Sequence, residues 1–145
     1  MQVPHDTHVL VADGAKMLFF RNEGDADALV LKVVAAEQQR DEPDRDLKTD
    51  TAGRKPGTGS TIGEADYHQQ AEDRFAADAA DMLNRGALAG RYDKLIVVAS
   101  PKTLGELRHH YHKETSARLL AEIPKDLANH PVDKIEAALK SHEAS

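Results

Sequence analysis

The sequence predicts a single α/β domain: a five-stranded mixed sheet, made of a three-strand antiparallel meander plus two parallel strands, with helices on its faces. Three observations carry this. Leu95 to Ala99 is a short, wholly apolar run rich in β-branched residues, as suits a strand covered on both faces. Ser100-Pro101 stops that strand and opens a helix, since proline suits a first helical position and the serine side chain can cap free N–H groups. The elements fall in the order β-β-β, a long polar stretch, then α-β-α-β-α, so the last two strands are joined to the rest by helical crossovers. At 145 residues the chain has the size of one domain.

Each element has its own signal. His8 to Ala12 reads as a strand and Asp13-Gly14 as a turn, which leads into a second strand over Lys16 to Arg21. Asn22 to Asp27 is another turn cluster, and Ala28 to Ala36 reads as the third strand. From Glu64 to about Leu88 the pattern is helical, with Thr61-x-x-Glu64 resembling a capping box. Ala71, Phe75, Ala79 and Met82 form its inward face, and Gly86 or Gly90 can end it. After the Leu95 strand, the helix from Pro101 turns Leu104 and Leu107 inward, and a short helix over Lys113 to Arg118 follows. Leu119 to Leu127 fits helix or strand, and Pro124 favours an edge strand over a long helix. His130-Pro131 opens a final amphipathic helix with Val132, Ile135, Ala138 and Leu139 inward. Right-handed crossovers place the Leu95 strand parallel to and beside the His8 strand, which brings Asp13 and Ser100 to one edge of the sheet.

The stretch from Gln38 to Gly63 differs from everything around it. It is dense in charge, glycine and proline and nearly free of large apolar side chains, so it reads as a flexible loop at about residues 38–63. Loops of this length inside domains are usually functional or disordered. Gly53, Arg54, Lys55, Gly57 and Gly59 give it a small cationic, glycine-rich tip, whose two cations and free backbone N–H groups suit phosphate. No lysine follows the last glycine, which excludes a Walker phosphate loop.

Composition narrows the function classes. Nineteen Lys and Arg against twenty-five Asp and Glu give a net charge of −6, so any contact with RNA must come from a local patch. The absence of cysteine excludes disulfides, thiolate catalysis and cysteine zinc sites. Val9 to Ala12 is too short for the core of an export signal, and no stretch approaches the length that spans a bilayer, so the expected location is the cytoplasm, without membrane insertion.

Taken together, VLVADGAKMLFF, HQQAEDRFAADAADMLNR, RYDKLIVVASPKTLGELR and ARLLAEIPKDLANHPVDKIEAAL resemble the bacterial host attachment protein family, in order and over nearly the whole chain. That family is similar to the middle domain of archaeal and eukaryotic class-one release factors and of their no-go-decay relatives. The resemblance implies an RNase H-like sheet. It also implies that the loop before the long helix corresponds to the one that carries Gly-Gly-Gln in release factors, where it promotes hydrolysis of peptidyl-tRNA. Here that loop reads Gly53-Arg-Lys-Pro-Gly57-Thr-Gly59-Ser60 and lacks the tripeptide, while Gln69 and Gln70 fall inside the predicted helix. The departure argues against release activity and leaves docking to RNA open. The family's name implies a role in attachment to host cells, which an intracellular, indirect effect reconciles with the missing export signal.

Other residues with chemical potential have simpler roles. Asp13 closes a strand where RNase H-like nucleases place a metal-binding carboxylate, with Glu122 and Asp126 as potential partners, but an Asp before Gly is also an ordinary turn former. Ser100 lies at the possible edge pocket with Asp13 yet lacks a nucleophile elbow, so capping is its expected task. His109, His110 and His112 form an HHxH cluster short of a zinc site. The expectation is a binding module rather than an enzyme, with no cofactor or metal. Its partner would be the ribosome or RNA, or alternatively a protein met in a regulatory role.

Overall fold

The computed structural model of the protein describes residues 1–39 and 60–142, with side chains of its first helix from Tyr67 onward. Its elements are β1 (His8–Ala12), β2 (Lys16–Asn22), β3 (Leu31–Gln38), α1 (Ser60–Leu88), β4 (Leu95–Ala99), α2 (Pro101–Arg108), α3 (Lys113–Arg118), β5 (Leu119–Ile123) and α4 (Val132–Ser141). The sheet order is β3-β2-β1-β4-β5. β1–β2 and β2–β3 are antiparallel, β1–β4 and β4–β5 parallel. This is the mixed sheet that the sequence predicts, with β4 beside β1 and β5 at an edge.

Central position explains the composition of β1 and β4. Every residue of both strands is buried, and their alternate side chains feed two separate cores. Leu10, Ala12, Leu95, Val97 and Ala99 face α1 and α2, while Val9, Val11, Ile96 and Val98 pack with Phe20, Ile123 and the α4 residues Ile135 and Leu139. An all-apolar strand is what a sheet covered on both faces requires.

Several boundaries differ from the sequence reading for identifiable reasons. β3 starts at Leu31, not Ala28, because residues 23–30 are held as a loop by two side chains. Asp25 accepts from the N–H groups of Asp27 and Ala28 at 3.0 and 2.8 Å, and buried Asn22 accepts from Gly24 and Val30 at 2.9 and 3.0 Å. α1 starts at Ser60, so Thr61-x-x-Glu64 lies inside the helix rather than capping it, and the predicted loop is shorter at that end. On its inner face Leu83 is fully buried where Met82 was expected, and Met82 only borders that core. The helix ends at a Schellman turn: Gly90, at φ +70°, donates to Ala87, and Arg91 donates to Gly86 at 2.8 Å. In α4, Val132 is exposed, because it sits in the first turn before Ile135 reaches the sheet.

Candidate functional site

The predicted tip, Gly53, Arg54, Lys55, Gly57 and Gly59, lies outside the described residues. The second predicted location is where the topology puts it: Ala12 pairs with Ala99, so Asp13 and Ser100 follow at one edge of the sheet. Both side chains serve the local backbone there. Asp13 Oδ1 accepts from the N–H groups of Ala15 and Lys16 at 2.8 and 2.7 Å, closing the β1–β2 turn. Ser100 Oγ accepts from the N–H of Thr103 at 3.3 Å as the cap of α2. Beside them, α1 and α2 leave a hollow of only about 20 Å³ against Gly14. Glu72 fills the approach so closely that a Cβ on Gly14 would meet its carboxyl group at 2.7 Å, while Lys102 reaches both Glu72, at 3.8 Å, and Gln69.

Three of the other candidates have local structural roles. His109 is the C-terminal cap of α2, and His112 caps α3 by accepting from Glu114 N–H at 3.0 Å. Glu122 takes a two-pronged contact from Arg108, at 2.7 and 2.9 Å. Among the described residues no three His, Asp or Glu side chains converge as a metal site would require.

A wider recess lies at the opposite edge, where β1 and β4 begin with His8 beside Leu95. It is a cleft of about 530 Å³, and its floor is organised by Asp6. Asp6 has φ 67°, a left-handed conformation that few residues other than glycine, Asn and Asp adopt. Three contacts hold it there. Its N–H donates to the Asn22 carbonyl at 2.9 Å, its carboxylate accepts from Arg21 Nε at 2.8 Å, and its carbonyl accepts from His8 Nδ1 at 3.0 Å. The Arg21 hydrogen bond holds the Asp6 carboxyl below its ordinary pKa.

His8 is the least expected member. It is only 9% exposed, with its ring against Phe19 and Tyr92 at centroid distances of 5.2 and 5.6 Å. A carbonyl can only accept, so Nδ1 must carry the proton in the bond to Asp6. Nε2 is then the unprotonated acceptor of a ring that lines the cleft, and burial pushes the His8 pKa below its ordinary value, favouring the neutral form. His5 is fixed in a similar way, through Nδ1 to the Gly24 carbonyl at 2.6 Å.

The turn after α1 supplies the opposite wall. Arg91, Asp93 and Lys94 are exposed, whereas Tyr92 between them is buried and donates to the Leu83 carbonyl at 2.7 Å. Among the described residues neither Arg91 nor Lys94 has an ion-pair partner, and the lining carries three cations against two carboxylates. A second recess of about 440 Å³, between β3 and α1, has the reverse balance, with Glu37, Asp78 and Asp81 against Arg85. Sequence reasoning missed the first cleft by looking only to the carboxyl ends of the parallel strands. The available signal was charge placed just before two predicted strands, His5-Asp6 before one and Arg91 to Lys94 before the other.

The model of bacterial archaeo-eukaryotic release factor family 12 matches residues 6–139, nearly the whole chain, and the protein belongs to that family. No curated protein matches it.

Proposed function

From that membership we propose that the protein is a non-catalytic, release-factor-like domain that contacts RNA or the translation machinery through the segment at residues 40–63. The observation that carries this reading is the family match over residues 6–139, combined with a sequence in which the stretch before α1 keeps glycines and two cations but not Gly-Gly-Gln. A release factor hydrolyses peptidyl-tRNA with the tripeptide, so its loss removes the reaction and leaves the docking. Arg54 and Lys55 would meet phosphate, with Gly53, Gly57 and Gly59 allowing close backbone approach.

Co-sedimentation with ribosomes at low and high salt tests the reading. Salt-sensitive comigration that is lost in Arg54→Glu with Lys55→Glu is the expected result, because phosphate contacts weaken steeply with added salt. Absence from every ribosomal fraction would refute it.

The alternative is a regulatory module for attachment to host cells that acts through a protein partner. It is favoured by the outer strand β3, where Val33 and Val34 are 56% and 55% exposed, an apolar surface on the outermost strand among the described residues. Binding to a partner there would be insensitive to salt and to the Arg54 and Lys55 changes.

A further inference from the structure

We infer that the cleft at the amino-terminal edge of β1 and β4 binds a ribonucleotide, with Arg91 and Lys94 on its phosphate and His8 Nε2 accepting a hydrogen bond from a sugar hydroxyl. This inference stands on the cleft alone and does not depend on contact with the translation machinery.

Three features select the ligand. The cleft has about 530 Å³, within the range of small-molecule sites, and opens where two cations lack ion-pair partners among the described residues. Arg21, the third cation, is already tied to Asp6 at 2.8 Å and serves the floor. An anion is therefore drawn to the Arg91 and Lys94 wall, where each cation offers several N–H donors.

An anion alone does not complete the site. The δ-protonated tautomer of His8, dictated by the Asp6 carbonyl at 3.0 Å, presents a lone pair at Nε2. A phosphate oxygen would repel it, whereas a hydroxyl satisfies it. The ligand must therefore join an anion to a hydroxyl donor, as a phosphorylated sugar does. Val34, exposed on β3 beyond β2 and lining the same cleft, gives a base an apolar surface, which selects a nucleotide over a bare sugar phosphate.

The floor is built to last. The strained Asp6 is fixed through backbone, carboxylate and carbonyl at once, and the His8 ring packs against Phe19 and Tyr92, which also touch each other with ring centroids 6.1 Å apart. A preorganised acceptor loses little entropy when the ligand arrives.

Binding of adenosine 5′-monophosphate, inorganic phosphate and a short oligoribonucleotide to the full chain, by equilibrium dialysis or calorimetry, tests the inference. The monophosphate or the oligonucleotide should bind more tightly than inorganic phosphate. Tighter binding of the monophosphate identifies a free nucleotide as the source, and tighter binding of the oligonucleotide identifies RNA. Arg91→Glu with Lys94→Glu should weaken binding by about tenfold or more, as expected for two charge-assisted contacts, with an unchanged melting temperature because both side chains are exposed. His8→Phe should preserve the ring packing while erasing the preference over inorganic phosphate. Arg54→Glu with Lys55→Glu should leave monophosphate binding unchanged, which separates this site from the segment at 40–63. The inference is overturned if neither nucleotide binds at millimolar concentration, if charge reversal at Arg91 and Lys94 has no effect, or if inorganic phosphate binds as well as the monophosphate.

Discussion

Replacing Asn22 by alanine should destabilise the protein by far more than a typical point change. Asn22 is fully buried, and all of its polar atoms are engaged. Its amide nitrogen donates to the carbonyls of Val3 and Pro4 at 2.9 and 3.2 Å, and its oxygen accepts from Gly24 and Val30 at 2.9 and 3.0 Å. Pro4 keeps a second donor, the Thr7 N–H, and so is not left bare. The Val3 carbonyl and the Gly24 and Val30 N–H groups lose this partner, and with about 1 kcal/mol or somewhat more for each stranded group the loss comes to about 3–4 kcal/mol. For a domain of this size that corresponds to a fall in melting temperature of about 10 °C. Urea titration and scanning calorimetry measure it directly. Asn22→Asp is the informative comparison: it keeps the acceptor for Gly24 and Val30 but sets a carboxylate against the Val3 carbonyl, so its deficit should shrink at acidic pH, where a protonated carboxyl can donate. A loss below about 1 kcal/mol for the alanine variant would show that Asn22 does not hold the Val3–Thr7 segment, and the account of how Asp6 is held would fail with it.

Two further outcomes follow from the same region. Gly24→Ala would place a Cβ 1.8 Å from the Ala28 carbonyl oxygen, a backbone atom that cannot swing away, so a loss of about 2–4 kcal/mol is expected by urea titration, and wild-type stability would show that the loop rearranges freely. His8 makes stability fall with acid: its pKa is lowered in the folded state by burial, so the unfolded chain takes up the proton first. Stability should be constant above the unfolded value near 6.5 and decline as pH drops below it toward the folded value, and a melting curve series from pH 7.5 to 5 should lose that slope in His8→Phe.

The fold was legible because its signals are local and redundant. Leu95 to Ala99 could only be a strand covered on both faces, and Ser100-Pro101 fixed the start of α2 to the residue. The misplaced boundaries were set by tertiary partners instead. Ala28 to Val30 carry strand-like side chains, yet Asn22 and Asp25 draw their backbone into a loop. Leu83 displaced Met82 from the core because the rotation of α1 about its axis depends on where the sheet lies, which periodicity alone does not give. The cleft was the least legible part. Its members come from the segment before β1, from β1, β2 and β3 and from the turn after α1, and the β1–β2, β1–β4 and β2–β3 pairings together bring them to one place. The tautomer of His8 has no sequence signature at all, since it follows from a carbonyl presented by a residue with positive φ, and its neutral state follows from burial.

The two edges of the sheet differ for a physical reason. Parallel strands in open α/β sheets usually offer ligands their carboxyl edge, where helix N-termini open. In this protein α1 is long enough to run across that edge, and Glu72 sits over Gly14 while Lys102 on α2 reaches back to it, so the space is occupied by the protein's own charges. Among the described residues the amino edge has no such cover. α1 ends at Leu88, the Schellman turn at Gly90 carries the chain away, and Arg91 to Lys94 follow as a short exposed connection into β4. The same turn that ends the helix thus leaves two cations at the rim of a recess whose floor is pinned by Asp6 and Asn22. A change that lengthened α1 past Gly90, such as Gly90→Ala at φ +70°, would strain the turn and disturb that rim without touching the carboxyl edge. The position of the cleft is therefore a consequence of where one helix stops.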